Sequence, residues 1–264
     1  MHRSALPAPE LAWVRELARQ VAELAAHSDN LRIIQRWRDV NARRRPDRAP
    51  VWCRPVGAWG ELLPDTELRC HHPRLRPLER HFRRLLLKRQ IGDDEPLDAW
   101  YPISPAYHCE PATMWGLPVG RHAPKEAGGA WGYDAPIKSM ADLDRLRQPV
   151  FSYDPVATAA NLEQHQALLD GVMPVRLMGG APLHSILGSY VADLRGLAEM
   201  MLDMAVEPEL IHRLTAHLRD AVLAVTGHPK VGHLWAPQSR PPQERVGDTD
   251  NAGSGFLQAR SLRR

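Results

Sequence analysis

Tyr107-His108-Cys109-Glu110 gathers four side chains able to move protons or attack an electrophile. Histidine titrates near neutral pH, so His108 suits general acid or base work; a solvated loop is the plainer alternative. Arg54 ends the run Pro50-Val51-Trp52-Cys53, and a planar guanidinium can grip a carboxylate through two parallel hydrogen bonds. His184 follows Gly179-Gly180 at the mouth of a helical stretch, where the helix dipole favours a nearby anion. A capping or packed histidine is the alternative there. Cys70-His71-His72 offers zinc-type donors, but no fourth ligand accompanies them in the sequence, and no metal is expected. Asp93-Asp94-Glu95 carries oxygen donors that suit a hard cation; the expected state is a solvated turn after Gly92. The arginines of 74–89 could meet phosphates, yet they read better as a solvated helical face.

The elements that must position these groups follow from periodicity. Leu11, Val14, Leu17, Val21 and Leu24 recur at steps of three and four, which predicts a helix over 8–27. Ser28-Asp29-Asn30 can cap a second helix from Leu31 to about Ala42. Ala49 to Cys53 is a short apolar run between prolines and predicts a buried strand. Gly57 to Pro64 reads as a loop, and 73–90 as a helix with Leu75, Leu78, Phe82 and Leu85–Leu87 inward. Leu97 to Ile103 is a second strand candidate. A Pro- and Gly-rich loop is expected over 104–138. Ser139 and Asp142 resemble a capping box, and Asp154-Pro155 starts another helix. Pro174 to Met178 is the third strand candidate. Helices then run to Leu202, with Leu197, Met200 and Met201 on one face, and from Glu207 to Val225. Past Gly227, prolines and glycines break every period except a doubtful strand at Val231–Ala236. Strands alternating with helices predict an α/β fold with parallel strands.

The chain has 264 residues, 44% hydrophobic and 25% charged, which suits a globular protein of one or two domains. No apolar run is long enough for a membrane-spanning helix, and Met1-His2-Arg3 leads into a polar helical pattern rather than a secretory signal. Three widely spaced cysteines, with no CxxC pair, argue against a disulfide framework or a zinc ribbon. Reduced thiols and a cytoplasmic location are expected. Residues 1–91 hold 19 Lys and Arg against 10 Asp and Glu, while the rest of the chain is net acidic. The net charge of +3 is too small to argue for a nucleic-acid partner.

Three stretches resemble the uroporphyrinogen decarboxylase superfamily, and within it the uncharacterised branch. The first is Pro174-Val175-Arg176-Leu177-Met178-Gly179-Gly180-Ala181-Pro182-Leu183-His184, followed by Gly196 to Asp203 and Glu207 to Leu214. The second is Pro136 to Leu146. The third is Pro50-Val51-Trp52-Cys53-Arg54, followed by Ala58-Trp59-Gly60-Glu61-Leu62. The likeness spans roughly residues 30–226. It implies a partial or complete (β/α)8 TIM-type barrel, here with extra N-terminal helices: 1–48 as a helical segment, 49–226 as the barrel portion and 227–264 as an irregular, disordered tail.

Sites in such a fold lie at the C-terminal strand ends. The resemblance therefore implies Arg54, Glu61, Gly179 and Gly180 as substrate-binding residues, and Tyr101, His108 and His184 as catalytic ones. Arg54, Tyr101 and His184 are expected to share one barrel mouth. The implied activity is that of a carbon–carbon lyase. It would decarboxylate a carboxylate-bearing small molecule, such as a tetrapyrrole derivative, without cofactor or metal. Two departures are visible: Trp59 and Gly60 stand where the family carries a second arginine, and Tyr101-Pro102-Ile103-Ser104 occupies the place of its catalytic aspartate.

Corrinoid-linked methyltransferases form another branch, but their His-x-Cys zinc pair has no counterpart here. A third reading is an inactive, truncated or frameshifted fragment, since only three strands and a doubtful fourth can be placed before residue 237. An incomplete barrel leaves strand edges open, so pairing into a homo-oligomer is one expected state. Neither a membrane nor a nucleic-acid partner is expected.

Overall fold

The structure, a computed structural model, describes residues 6–55, 57–123, 132–178 and 182–227. The chain is mixed α/β and divides into two compact units. Among the described residues, the first holds 6–103 and Ala159–Leu177, and the second holds 104–158 and 178–227. Gly179, Gly180, the doubtful strand at 231–236 and the expected tail lie outside the described residues.

In the first unit, α1 (Ala8–Ala26) and α4 (Arg76–Ile91) follow the predicted apolar stripes. Val14, Leu17, Ala18 and Val21 meet Leu75, Leu78 and Phe82 in one buried cluster, which Leu168, Leu169 and Met173 complete. Gly92 ends α4 in a left-handed conformation (φ 81°), and its N–H reaches the Lys88 and Arg89 carbonyls at 3.1 and 3.2 Å. That conformation is cheap only without a Cβ. Helix α2 (Ser28–Asn41) starts earlier than predicted. Its cap is His27, whose Nδ1 accepts from the Asp29 N–H at 3.3 Å.

Two strand expectations change here. No strand forms over 49–53, because carboxylates replace a neighbouring strand. The Val51 N–H donates to Asp94 Oδ2 at 2.7 Å and the Cys53 N–H to Asp93 Oδ2 at 3.1 Å. The strand expected over 97–103 shrinks to β1 (Tyr101–Ile103). Buried Asn30 takes both backbone groups of Leu97, accepting from its N–H at 2.9 Å and donating to its carbonyl at 3.0 Å. The expected loop at 57–64 includes the short helix α3 (Trp59–Leu62).

The loop expected over 104–138 is largely structured instead. It contains β2 (Ala106–Glu110), β3 (Gly120–His122) and β4 (Gly132–Asp134). Strand β2 pairs antiparallel with β5 (Val150–Asp154), with His108 opposite Ser152, and β3 pairs antiparallel with β4. The capping box at Ser139 and Asp142 forms as expected, opening a 3-10 turn, Met140–Arg145. Asp154 caps α5 (Pro155–Leu169), accepting from the Ala157 N–H at 2.8 Å. Strand β6 (Val175–Leu177) lies parallel to β1, with Tyr101 opposite Val175, as two of the three predicted strands require. The described sheets are three strand pairs, and the parallel one is in the first unit.

Helices α6 (Leu187–Arg195), α7 (Leu197–Val206) and α8 (Pro208–Gly227) complete the second unit. Leu210, Leu214, Leu218 and Val222 of α8 pack with Val191, Leu194 and Ile137. Met200 joins that core, whereas Leu197, Met201 and Leu202 face outward. No described helix is long and apolar enough to cross a membrane.

Candidate functional site

Helix α4 buries Leu78 and Phe82 on one side, next to its N-cap Leu75, and the 3.6-residue period then decides what the other side shows. Arg80, Arg84 and Lys88 recur at steps of four and form one row about 12 Å long. With His81 and Leu85 they line a cleft of about 690 Å³ in the first unit. Trp52, Cys53, Arg54, Pro55, Trp59 and Glu95 form the opposing lining. The arginine face of this helix is thus a cleft wall rather than a solvated surface.

The segment at 51–55 reaches the cleft because of Asp93 and Asp94. Both are buried, so the expected solvated turn is instead an anchor. Asp94 receives Arg36 Nη1 at 2.5 Å, Arg48 at 2.6 and 2.7 Å, and the Val51 N–H. These donors hold its carboxyl below the usual range against the opposing effect of burial. Asp93 pairs with Lys88 at 3.1 Å. Lys88 also pairs with Glu95, so two carboxylates neutralise it. Arg80 pairs with Asp65 at 2.8 Å.

Arg84 differs from its neighbours on the row. It has no carboxylate partner among the described residues, and its guanidinium lies 4.7 Å from the Trp59 ring centroid. Arg84 Nε and Trp52 Nε1 are shut off from solvent and meet no acceptor among the described residues. A buried donor left unpaired costs roughly 1–3 kcal/mol, so an acceptor arriving in the cleft would be favoured. Arg54 and Lys88 lie 5.5 and 5.4 Å from the Trp52 ring centroid. Four cations and one carboxylate line the cleft, with two indole rings in its wall; Lys88 and Arg80 are already paired with carboxylates, so Arg84 is the charge best placed to draw an anion. His81 is pushed down to about 4 by burial and by the nearby Arg84 charge, so it is neutral at pH 7.

Of the predicted site residues, Arg54 lines this cleft. Glu61 is exposed on α3 and is not among the lining residues. Tyr101 is not among them either; it packs edge-on against His81, with ring centroids 5.0 Å apart. Burial raises the Tyr101 phenol above its ordinary range. His108 and His184 belong to the second unit. His108 is 73% exposed and its Nε2 lies 2.8 Å from Asp154 Oδ2. The His184 N–H donates to the Tyr190 hydroxyl at 3.1 Å, two residues before Ile186, the N-cap of α6, rather than at the helix start.

The Cys70-His71-His72 segment is held through its backbone. The Cys70 N–H donates to Glu79 at 2.7 Å, and the next two N–H groups donate to Glu10. Burial pushes the Cys70 thiol up to about 12, with neighbouring Glu79 adding to the effect. No group of three or more metal-binding side chains converges among the described residues. Residue-type reasoning passed over Arg84, His81 and the two indoles; the basic row of Arg80, Arg84 and Lys88, at steps of four and offset from the apolar stripe, was the available signal. Comparison with protein-family models, curated proteins and solved structures gives no match.

Proposed function

We propose that this chain binds a carboxylate-bearing small molecule in the α4 cleft and removes CO2 from it as a carbon–carbon lyase. Arg84 carries the reading: a guanidinium with no carboxylate partner among the described residues and a buried Nε without an acceptor. The cleft volume of about 690 Å³ suits a small organic molecule. The resemblance to the uroporphyrinogen decarboxylase superfamily supplies the reaction class, and with it a partial (β/α)8 barrel as the architecture. The parallel pairing of β1 and β6 supports that architecture. Three free cysteines fit the cytoplasmic placement.

The chemistry constrains which carboxylate leaves. An ion pair stabilises a carboxylate before CO2 departs; in the transition state the electron pair of the breaking carbon–carbon bond moves onto the remaining carbon, which a proton from water then quenches. Such a contact binds the ground state more than the transition state and would slow the step. In this reading Arg84 and Arg54 hold spectator carboxylates, and the departing group faces the apolar lining formed by Pro55, Pro77 and Leu85. The substrate class therefore carries at least two carboxylates.

Calorimetry with acetate, succinate and tricarballylate tests the binding claim. Affinity should rise with carboxylate number, and Arg84→Ala should weaken tricarballylate binding about tenfold. Equal affinity in Arg84→Ala and wild type would sink the assignment. Release of labelled CO2 from a panel of carboxyl-labelled tetrapyrroles and simpler polycarboxylates tests the lyase claim.

A further inference from the structure

We infer that His81 takes up a proton when an anion enters the α4 cleft, so that ligand binding and protonation are linked at this one ring. The inference rests on the cleft being an anion site. His81 lines the cleft beside Arg84. Its ring is fixed edge-on by Phe82 (centroids 5.3 Å, planes at 72°) and by Tyr101 (5.0 Å, 85°). These contacts seat the imidazole in the cleft wall, where an arriving charge meets it.

The charged surroundings of the ring explain the direction of the change. On its own helix stand Arg80, Arg84 and Lys88; from the 51–55 segment come Arg54 and Cys53. After the helix comes Glu95, which pairs with Lys88. From β1 comes Tyr101, on which His165 of α5 stacks at 5.5 Å. Without ligand, burial first and the Arg84 charge next favour the neutral ring, while Lys88 and Arg80 are already paired with carboxylates. A carboxylate or sulfonate within about 4–6 Å reverses the balance and raises an imidazole's pKa by about 1–3. Starting from about 4, His81 then titrates between roughly 5 and 7 in the complex. The protonated ring becomes an additional cation in the cleft, and it exists only once the anion is bound. Anion affinity must therefore rise as pH falls, because the tighter-binding form of the protein is the protonated one.

The probe is 1,2-ethanedisulfonate, a dianion that does not itself titrate in this range. Calorimetry at pH 5.5, in buffers of different ionisation enthalpy, should report uptake of about three quarters of a proton per ligand for a complex pKa near 6, the middle of that range. Affinity should be about tenfold tighter at pH 5.0 than at pH 7.5. In His81→Gln the uptake should vanish and the pH ratio should fall below threefold. His81→Asn serves if the first variant melts early, and ring-carbon chemical shifts of wild-type His81 with and without disulfonate report the same event without a variant. Equal proton uptake in wild type and variant, or a His81 shift that ignores the ligand, overturns the inference while leaving the anion site intact. No disulfonate binding at any pH overturns the anion site, and this inference falls with it.

Discussion

Two carboxylate-centred arrangements show how differently the two units use their charges. In the first unit, Asp94 is 1% exposed and collects Arg36, Arg48 and a backbone N–H. In the second, Asp154 holds the N-terminus of α5 and meets His108, which is 73% exposed. The Asp94 cluster fixes where a chain segment runs and so shapes a cleft. The Asp154 pair decorates a strand edge that its backbone ladder already fixes. Burial, rather than residue type, separates an acid that builds a site from one that sits beside water.

Breaking the buried arrangement should have the largest effect. Removing one partner of a buried ion pair costs about 3–5 kcal/mol, because the remaining charge stays buried and unpaired. Asp94→Ala leaves buried Arg36 with only its two-point pair to exposed Asp47, and takes the acceptor from the Val51 N–H. The lower end of that range is expected, since Arg48 is half exposed and recovers water. Urea unfolding measures this, and amide exchange at Val51 and Cys53 should accelerate in parallel. A loss below about 1 kcal/mol would erase the distinction between the two arrangements.

The next effect separates the units by pH. His81 has a folded-state pKa near 4, against an ordinary 6.5, because burial and Arg84 disfavour its charged form. Between those values the unfolded chain binds a proton that the folded chain does not. Stability is therefore complete above about pH 6.5 and declines as pH falls toward 4. The full difference is worth roughly 3 kcal/mol, and His81→Gln should flatten the slope in that window. An unchanged slope would place the histidine's influence elsewhere.

The sequence made some of this legible and hid the rest for specific reasons. The α1, α4 and α8 stripes are local and long, so spacing alone located them. The β1–β6 pairing needed only two short apolar runs of the right kind. The segment at 49–53 looked like a strand because its residues suit one, yet its partners are side chains 43 and 40 positions later. Leu97 lost its strand to Asn30, 67 positions earlier. The β2–β5 ladder was missed because prolines and glycines nearby suggested a loop. Arg54 was singled out from its place after an apolar run, and it lines the cleft. Arg84 was assigned to a solvated face, since a helical period shows where the core is but not which polar positions another segment covers.

Within the cleft, Arg84 and Arg80 sharpen the comparison at smaller scale. Arg80 pairs with Asp65, so its charge is partly spent before any ligand arrives. Arg84→Ala should weaken tricarballylate binding about tenfold, or about 1.4 kcal/mol, and Arg80→Ala about threefold or less. Reversal of that order would move the anion site toward the N-terminal end of α4.

His108→Ala should change least. Its pairing with Asp154 lies in water, where solvent and salt screen the attraction and two mobile side chains lose freedom to meet. Asp154 would keep its other task, because the Ala157 N–H at 2.8 Å does not depend on the imidazole. That backbone bond is also the main reason its carboxyl titrates below the ordinary value, with His108 a smaller contribution. The expected shift in Tm is no more than about 2–3 °C, and it should shrink further in 0.5 M salt. Asp154→Ala should cost more than His108→Ala, since it uncaps α5 as well as breaking the pair. If His108→Ala instead proves the more damaging of the two, the strand edge is doing more than decorating. The contrast with the Asp94 cluster would then have to be drawn from something other than burial.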